Sequence, residues 1–291
     1  MPNVTIRTIL EPARHHGYAV PSLLAGNLEM VTGMIAAAER LRAPLILAFN
    51  RHVTPEVPIQ ISLPMTVNAA QRSSAPIATF LDHGSSLEEV CLAIRLGASS
   101  VMFDGSHLPY DENVRQTCEV VRVARAMGVS VEAELGSIGG SAVEIGNVTR
   151  DADADFGFTD PALAADFVQR TGVDVLAISF GNVHGVYQQA PRLDLERVRA
   201  IRGRVAVPLA MHGGSDLSDA EYPPIVAAGI SKLGYYSAMG LAAVESLRRT
   251  LAAAEPGTVA YHHIITAMVN FFRAEAEHII HLAGCGGRAS V

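Results

Sequence analysis

The chain is poor in lysine, in cysteine and in long apolar runs, and each scarcity narrows the classes of protein to consider. Of its 22 basic residues all but one are arginine, so Lys232 is the only lysine that a Schiff-base mechanism could use. Cys91, Cys118 and Cys285 lie far apart and match no zinc-finger spacing. They suggest a reducing compartment, which predicts a cytoplasmic location. The net charge of −7 argues against a nucleic-acid surface.

Two further absences concern membranes and dinucleotides. No apolar run approaches the roughly 20 residues that span a bilayer, and segment 1–19 lacks the apolar region of a signal peptide. We therefore expect no membrane partner. No Gly-x-Gly-x-x-Gly follows the first predicted strand, which makes a dinucleotide site improbable. Hydrophobic residues make up 49% of the 291-residue chain, which is enough to form the core of one large α/β domain or of two small ones.

Short apolar segments alternate with helical periodicity along the whole chain. Eight strands are predicted at 18–24, 44–49, 77–81, 100–103, 129–135, 175–179, 205–211 and 230–235. Helices are predicted at 28–42, 61–72, 86–97, 111–127, 160–171, 193–202, 218–228, 241–254 and 258–283, with prolines weakening 61–72 and breaking 218–228. The alternation predicts α/β architecture, a single (β/α)8 TIM barrel over 1–291 with an extra C-terminal helix. A doubly wound open sheet is the alternative.

Acidic and imidazole side chains stand where predicted strands end, which in a barrel is the rim that carries the chemistry. Three imidazoles at one rim suit zinc, with cobalt or iron as alternatives, and leave a fourth position open. Asp82 would move a proton beside the metal. The residues are Asp82 and His83 after the third strand, Asp104 after the fourth, Glu134 at the end of the fifth, His184 after the sixth and His212 after the seventh.

The remaining polar groups allow two interpretations each. Asp104 and Glu134 could form an alternate metal position or orient the histidines. Alternatively, Glu132 or Glu134 forms a buried ion pair with Lys232. The segment 213–215, Gly-Gly-Ser, is either a phosphate cradle of open backbone N–H groups or an ordinary tight turn.

The motifs together resemble those of the class II, zinc-dependent fructose- and tagatose-bisphosphate aldolases. The resemblance covers nearly the whole chain, and its strongest parts lie at 81–84, 102–109, 131–136, 158–161, 171–174, 180–187 and 212–215. It implies a carbohydrate-metabolising lyase that is a homodimer or homotetramer. Its implied residues are His83, His184 and His212 for one catalytic zinc, Asp82 as general acid/base, Asp104 and Glu134 near the metal at a second or alternate position, and Gly185, Gly213, Gly214 and Ser215 for the ketose phosphate.

The chain departs from the family chiefly at substrate positions. Ser22-Leu-Leu24 and Ala48-Phe-Asn50 stand where the family has Ala-Phe-Asn and Gln-x-Ser. In the loop 136–159 the usual acidic residues after Gly-Gly are missing, with Glu144 as one stand-in. The family's Asn-Val-Asp/Ala-Thr segment is replaced by Gly234, Tyr235, Tyr236 and Ser237, and these four are the predicted substrate contacts after the eighth strand.

The resemblance therefore predicts reversible aldol cleavage of a ketose (bis)phosphate, or of a related ketose, to dihydroxyacetone phosphate or a similar ketone and an aldehyde. An aldolase with a non-bisphosphate substrate and a catalytically weak sugar-phosphate-binding relative are the alternatives. A Schiff-base aldolase that uses Lys232 is a third, and it would leave the three histidines without a role.

Overall fold

A closed barrel of parallel strands forms the centre of the molecule. The computed structural model describes residues 3–51, 53, 55–138, 157–185, 191–215, 217–255 and 257–289. Within them every strand pairs in parallel with its neighbours in chain order, and the eighth closes on the first. The strands are β1 (Val20–Leu24), β2 (Leu45–Phe49), β3 (Ile77–Gly84), β4 (Ser100–Phe103), β5 (Ser130–Leu135), β6 (Val175–Ile178), β7 (Leu209–Met211) and β8 (Ile230–Tyr235). The predicted (β/α)8 barrel is confirmed.

Helices surround the barrel, and their bounds agree with the sequence periodicity in most places. The helices are α1 (Ile6–His16), α2 (Leu28–Leu41), α3 (Ile59–Arg72), α4 (Leu87–Arg95), α5 (Tyr110–Ala126), α6 (Pro161–Thr171), α7 (Leu195–Arg202), α8 (Tyr222–Ala228), α9 (Ser237–Ala252) and α10 (Tyr261–Ala283). In the described ranges no helix has the length and apolar character needed to cross a bilayer.

Several predicted boundaries were wrong, among them the start of α9, which is Ser237 rather than 241. The third strand does not stop at residue 81 but continues through Asp82 and His83 to Gly84. The prolines of 218–228 do not break a helix: α8 begins at Tyr222, so Pro223 and Pro224 lie in its first turn, where backbone N–H groups need no intrahelical partner. The seventh strand is shorter than predicted, Leu209–Met211 rather than 205–211.

Helix α1 precedes the first strand and was not predicted. Its N-terminal end lies at the start of the strands, because Asn3 bridges to Ile77 and the backbone N–H of Ile6 donates to the buried Ser100 hydroxyl at 2.8 Å. Gly17 in the left-handed conformation ends the helix. The helix thus packs against the N-terminal end of the barrel, opposite the rim that carries the predicted site.

Helix α10, the predicted extra C-terminal helix, packs against α2 in the outer layer. Their backbones approach closely at Gly33, where an added Cβ would lie 2.4 Å from the carbonyl oxygen of Val269. About two turns further along, Arg40 donates to Glu277 at 2.6 Å between Nε and Oε1. The two helices run parallel, so α10 also begins at the rim where the strands end.

Candidate active site

The three predicted histidines meet at the C-terminal rim of the barrel. Nε2 of His83 and Nε2 of His184 are 3.2 Å apart. One nitrogen from each of His83, His184 and His212 lies within 4.8 Å of the other two. Two nitrogens bound tetrahedrally to a cation at 2.0–2.1 Å would be about 3.3 Å apart. The spacing of the first pair therefore fits a shared divalent cation.

A backbone irregularity brings His83 to this position. The pairing of β3 with β4 shifts register between Leu81 and Gly84, and His83 has a φ of +50°, in the left-handed region that few residues other than glycine adopt. Regular alternation would send Asp82 and His83 to opposite faces of the sheet. The bulge turns both side chains toward the pocket, so an acid and an imidazole adjacent in sequence serve one site.

A carboxylate directly after β4 orients the His83 ring. Nδ1 of His83 is 2.7 Å from Oδ2 of Asp104, and Oδ1 of Asp104 accepts hydrogen bonds from the Ser106 backbone N–H at 3.1 Å and the Ser106 hydroxyl at 2.7 Å. With Nδ1 engaged, Nε2 of His83 faces His184. Of the two roles open to Asp104, this contact corresponds to orientation of the histidine. Ser106, which fixes Asp104, was not among the predicted site residues although it lies in the segment 102–109 that carries the family resemblance.

His212 is held from the opposite side by Glu132. Nε2 of His212 is 2.7 Å from Oε1 of Glu132, and Lys232 Nζ donates to both Glu132 oxygens at 2.7 Å. The ion pair left open for Glu132 or Glu134 therefore forms with Glu132. Its contact with His212 was missed, and only the alternation of Glu132 and Glu134 along β5 could have indicated it.

Glu134 lies beside His83 and Asp104 and is almost fully buried. Ligand atoms of these three residues lie within 4.8 Å of one another. Oε2 of Glu134 has no hydrogen-bond partner among the described residues. Burial, reinforced by the Asp104 charge, raises the pKa of Glu134 to about 8. A buried carboxylate oxygen without a donor is suited to a cation, which would lower that pKa.

Asp82 is bonded to a residue from the neighbouring strand. Nδ2 of Asn50, just after β2, donates to Oδ2 of Asp82 at 3.1 Å. Oδ1 of Asp82 lies 4.0 Å from Nδ1 of His212. Burial favours a neutral Asp82, but His83 and His212 outweigh it and lower the pKa of the carboxyl. Asp82 is therefore a carboxylate at neutral pH and can accept a proton. The sequence signalled Asn50 only as a departure from the family.

The pocket beside the histidines contains most of the predicted substrate positions. Seven of the eight line it: Gly185, Gly213, Ser215, Gly234, Tyr235, Tyr236 and Ser237. Gly214 does not, because its N–H donates to the Gly234 carbonyl at 3.1 Å and its own carbonyl accepts from the Tyr222 hydroxyl at 2.6 Å. Ser22, Leu24 and Ala48 also line the pocket. They are positions at which the sequence departs from the family.

The Gly-Gly-Ser segment forms a close backbone turn against the His184 loop. Gly213 has a φ of +70°, and an added Cβ would lie 1.9 Å from the Val183 carbonyl oxygen. The Ser215 hydroxyl accepts from the backbone N–H groups of Tyr236 at 2.7 Å and Ser237 at 3.1 Å, where α9 begins. The segment thus joins the ends of β6, β7 and β8 into one wall of the pocket.

Comparison with known proteins identifies the family of the chain. The family model described as fructose-bisphosphate aldolase class-II matches residues 4–288. The chain belongs to the class II fructose-bisphosphate aldolase family.

Relatives of this aldolase family member include a curated protein and several solved structures. "Uncharacterized protein YdjI" from Escherichia coli (strain K12) is 37% identical over 236 residues, which is 81% of this chain and 83% of that protein. The crystal structure of the YdjI aldolase from E. coli K12 superposes with a TM-score of 0.87 at 32% identity and covers 99% of both chains. A putative fructose-1,6-bisphosphate aldolase from Coccidioides immitis gives 0.85 at 28%, again over 99% of both chains.

A more distant structure, fructose-bisphosphate aldolase from Campylobacter jejuni, shares the fold at a TM-score of 0.74 and 18% identity, over 96% of this chain and 94% of that one. Residues 139–156, where the sequence analysis expected missing acidic residues with Glu144 as one stand-in, lie outside the described residues.

The electrostatics of the histidines show how strongly this family member's site favours positive charge. Burial opposes charge on His83, yet Asp82 and Asp104 raise the pKa of His83 to about 10. Burial and the neighbouring His83 hold the pKa of His184 well below its usual value. Burial and Lys232 lower the pKa of His212. The carboxylates thus retain one proton on the triad of His83, His184 and His212, at the place where a bound cation would neutralise the carboxylate charges. The other two rings stay neutral and able to bind a cation.

Proposed function

We propose that this chain is a metal-dependent class II aldolase. It reversibly cleaves a ketose (bis)phosphate, or a related ketose, to dihydroxyacetone phosphate or a similar ketone and an aldehyde. The observation that carries the proposal is the convergence of three imidazoles with a buried carboxylate, Asp82, that is ionised at neutral pH. Family membership supports the reaction class.

His83, His184 and His212 would hold the cation, and zinc suits three imidazole ligands with an open position. When bound, the cation would supply Lewis-acid polarisation of the substrate's ketone oxygen. Asp104 would keep His83 oriented. Glu134, with its unpartnered oxygen, would provide a second or alternate cation position with His83 and Asp104.

Asp82 would carry the proton. In cleavage its carboxylate accepts the proton of the hydroxyl on the carbon that becomes the aldehyde, and in condensation it returns that proton. Asn50 holds one carboxylate oxygen, so the other remains available to the substrate. The low pKa of Asp82 keeps it in the basic form required for cleavage.

The wall formed by Gly185, Gly213, Gly214, Ser215 and Ser237 would bind the phosphate end of the ketose, chiefly through backbone N–H groups and hydroxyls. In support, all but Gly214 line the pocket. Gly214 would act through the shape of the turn. Gly234, Tyr235 and Tyr236 would contact the sugar. Because these residues differ from the family pattern, a substrate other than a bisphosphate is within the proposal.

A Schiff-base route through Lys232 is disfavoured by its contacts. Nζ is fully buried, donates to both oxygens of Glu132 and lies 4.0 Å from the Phe80 ring centroid. A lysine nucleophile must be uncharged and must reach the carbonyl carbon of the substrate. Lys232 borders the pocket, but both hydrogen bonds of its Nζ go to the buried Glu132 carboxylate, which holds the amine there rather than presenting it to a carbonyl carbon.

We also propose that the protein is a homodimer or homotetramer. Helix α9 supports this, because only Ser237 and Met239 of its residues are buried while Leu241, Val244 and Leu251 are exposed. Apolar side chains exposed together along one helix are typical of a protein interface. The cytoplasmic location remains a prediction from the sequence.

The decisive experiment is a condensation screen. Dihydroxyacetone and its phosphate are combined with a panel of aldehydes, with zinc and then with chelator. We expect carbon–carbon bond formation that needs the metal, about one metal per chain, and an Asp82→Ala variant that retains metal and loses rate. Full activity in chelator would refute the metal-dependent mechanism. Tight sugar-phosphate binding without turnover on any pair would indicate the catalytically weak relative instead.

A further inference from the structure

Behind the histidines lies an ion pair that the proposed reaction does not use directly. Glu132 on β5 and Lys232 on β8 are both fully buried inside the barrel. The carboxylate receives Lys232 Nζ on both oxygens at 2.7 Å and His212 Nε2 on Oε1 at 2.7 Å. Removing two charges from water costs several kcal/mol per ion. A pair retained at that cost next to a candidate ligand suggests a specific role.

The contact decides which nitrogen of His212 can bind a cation. A neutral imidazole has one N–H and one lone pair. Because Glu132 accepts from Nε2, the proton resides there and the lone pair of Nδ1 is free. Nδ1 is the atom that faces Asp82, at 4.0 Å. His83 is arranged the other way, with Nδ1 on Asp104 and Nε2 toward His184.

Lys232 determines the position of the Glu132 carboxylate. A carboxylate bonded to His212 alone could rotate and would be an uncompensated buried charge. Lys232 binds both oxygens and itself lies on the Phe80 ring, with Nζ 4.0 Å from the centroid. The position of Oε1, and with it the orientation of the His212 ring, is therefore set by three residues of the barrel interior.

We propose that Glu132 and Lys232 are a positioning pair that fixes His212 as an Nδ1 ligand. The pair acts through His212, because Nε2 of that ring and Nζ of Lys232 both bond to the Glu132 carboxylate. This inference rests on the proposed function only in that the triad binds a divalent cation; it does not require turnover. It also assigns the chain's only lysine to metal-site architecture.

The first test uses the unaltered, metal-free protein. Long-range proton–nitrogen NMR correlation of histidine rings distinguishes the two neutral tautomers. We expect His212 as the Nε2–H tautomer, identified by loss of its signals in a His212→Gln variant. An Nδ1–H tautomer at His212 would overturn the proposal, and this measurement needs no variant of the pair to fold.

The second test compares two double variants that share one change. Glu132→Leu with Lys232→Met removes the pair and the acceptor, whereas Glu132→Gln with Lys232→Met retains an acceptor oxygen for His212. Both avoid a lone buried charge, so both are expected to fold. Cobalt affinity, measured by competition with a chelating dye, should fall about 10–100-fold in the Leu variant, as for other groups that orient ligands. The Gln variant should recover most of that loss.

The cobalt absorption spectrum gives a readout that general destabilisation would not move. It should change in the Leu variant and remain near that of the unaltered protein in the Gln variant. Thr171→Val, which removes a buried hydrogen bond to the Phe167 carbonyl within α6, is the control for destabilisation away from the triad. Equal cobalt affinity in all forms would refute the positioning role. A wild type that binds cobalt but cleaves no ketose would refute the proposed function alone, and one that binds no divalent cation would refute both.

Discussion

Asp82 is oriented by side chains that come from different strands. Asn50, after β2, donates to one of its oxygens, while His212, after β7, lies 4.0 Å from the other. A hydrogen bond to a charged group contributes more than one between neutral groups, about 1.5–3 kcal/mol. The reactivity of this single carboxylate therefore depends on groups far apart in the chain.

Replacing Asn50 tests that dependence. In Asn50→Ala we expect kcat to fall about 10–100-fold, from the loss of a hydrogen bond of about 1.5–3 kcal/mol, while KM and metal content change little. Asn68→Ala makes the same change on the exposed face of α3, where Asn68 accepts from Arg72 at 3.2 Å, and should leave kcat unaltered. Steady-state kinetics with metal analysis measures both. Equal kcat in the two variants would contradict the role given to Asn50.

Glu134 makes the metal-free protein sensitive to pH. Its pKa is raised by burial to about 8 in the folded protein, against about 4.3 when exposed. The folded state then binds more protons than the unfolded state between these values, so the free energy of unfolding falls as pH rises from about 4.5 to 8.

Glu134→Gln should remove this slope and make the chelated protein more stable than the unaltered one at pH 8, but not at pH 4. Urea unfolding at several pH values gives the comparison. Glu56→Gln, at an exposed carboxyl, serves as the control. Parallel pH profiles for the unaltered protein and Glu134→Gln would contradict the assignment.

At the scale of elements, the ends of the strands and their loops deliver the site. The left-handed His83 in the β3 bulge brings two adjacent side chains into one pocket. The turn at Gly213, after β7, packs so closely on the loop after β6 that no side chain fits between Val183 and the turn. The geometry of the triad therefore depends on contacts between loops as well as on the strands.

Gly213→Ala tests the contact between those loops. The substitution strains a φ of +70° by about 1–2 kcal/mol and drives a methyl group into the Val183 carbonyl. We expect a total loss of about 3 kcal/mol or more in the free energy of unfolding, and weaker metal binding because His184 follows Val183. Chemical unfolding and metal competition measure the two effects.

Gly203→Ala is the matched control. Gly203 has a φ of −70°, and an added Cβ would lie no closer than 3.5 Å to another atom. Its free energy of unfolding should change by about 1 kcal/mol at most. Similar unfolding free energies for the two alanine variants would show that the Gly213 turn is not sterically required.

At the scale of the molecule, α9 is the least packed large element among those described. Leu241, Val244 and Leu251 are between 39% and 49% exposed, which is high for apolar residues along a single helix. Because α9 begins at Ser237, directly after the pocket residues Tyr235 and Tyr236, association of copies through this helix would also brace the pocket wall.

Val244→Glu should therefore dissociate the proposed homodimer or homotetramer toward monomers in light scattering at micromolar concentration. The buried negative charge would cost several kcal/mol at an interface. Met127→Glu introduces the same charge at another exposed apolar position, at the end of α5, and should leave the mass unchanged. A monomeric wild type, or an unchanged mass in Val244→Glu, would contradict the prediction.

The order of strands and helices followed from local signals. Apolar runs marked the strands, and capping residues marked the starts of helices. Asn27, Ser86 and Asp160 each accept a hydrogen bond from a backbone N–H of the helix that follows. Eight alternations left few arrangements besides a barrel. Helix α1 was missed although its local signals are present: the buried residues Ile6, Ile9, Leu10 and Ala13 follow helical spacing, and Thr5 and Gly17 cap its two ends.

The sequence by itself determined the barrel, the three imidazoles and the carboxylate proposed to move the proton, because these groups stand at the ends of three strands and the rim of a barrel gathers strand ends. Only the tertiary structure decided which atoms meet. The hydrogen bonds that hold the site depend on the directions of side chains from different strands. Asn50 bonds to Asp82, Glu132 with Lys232 holds His212, and Ser106 bonds to Asp104. Those directions arise from the bulge at His83, the closure of the sheet and the packing of the barrel interior, which no local pattern encodes.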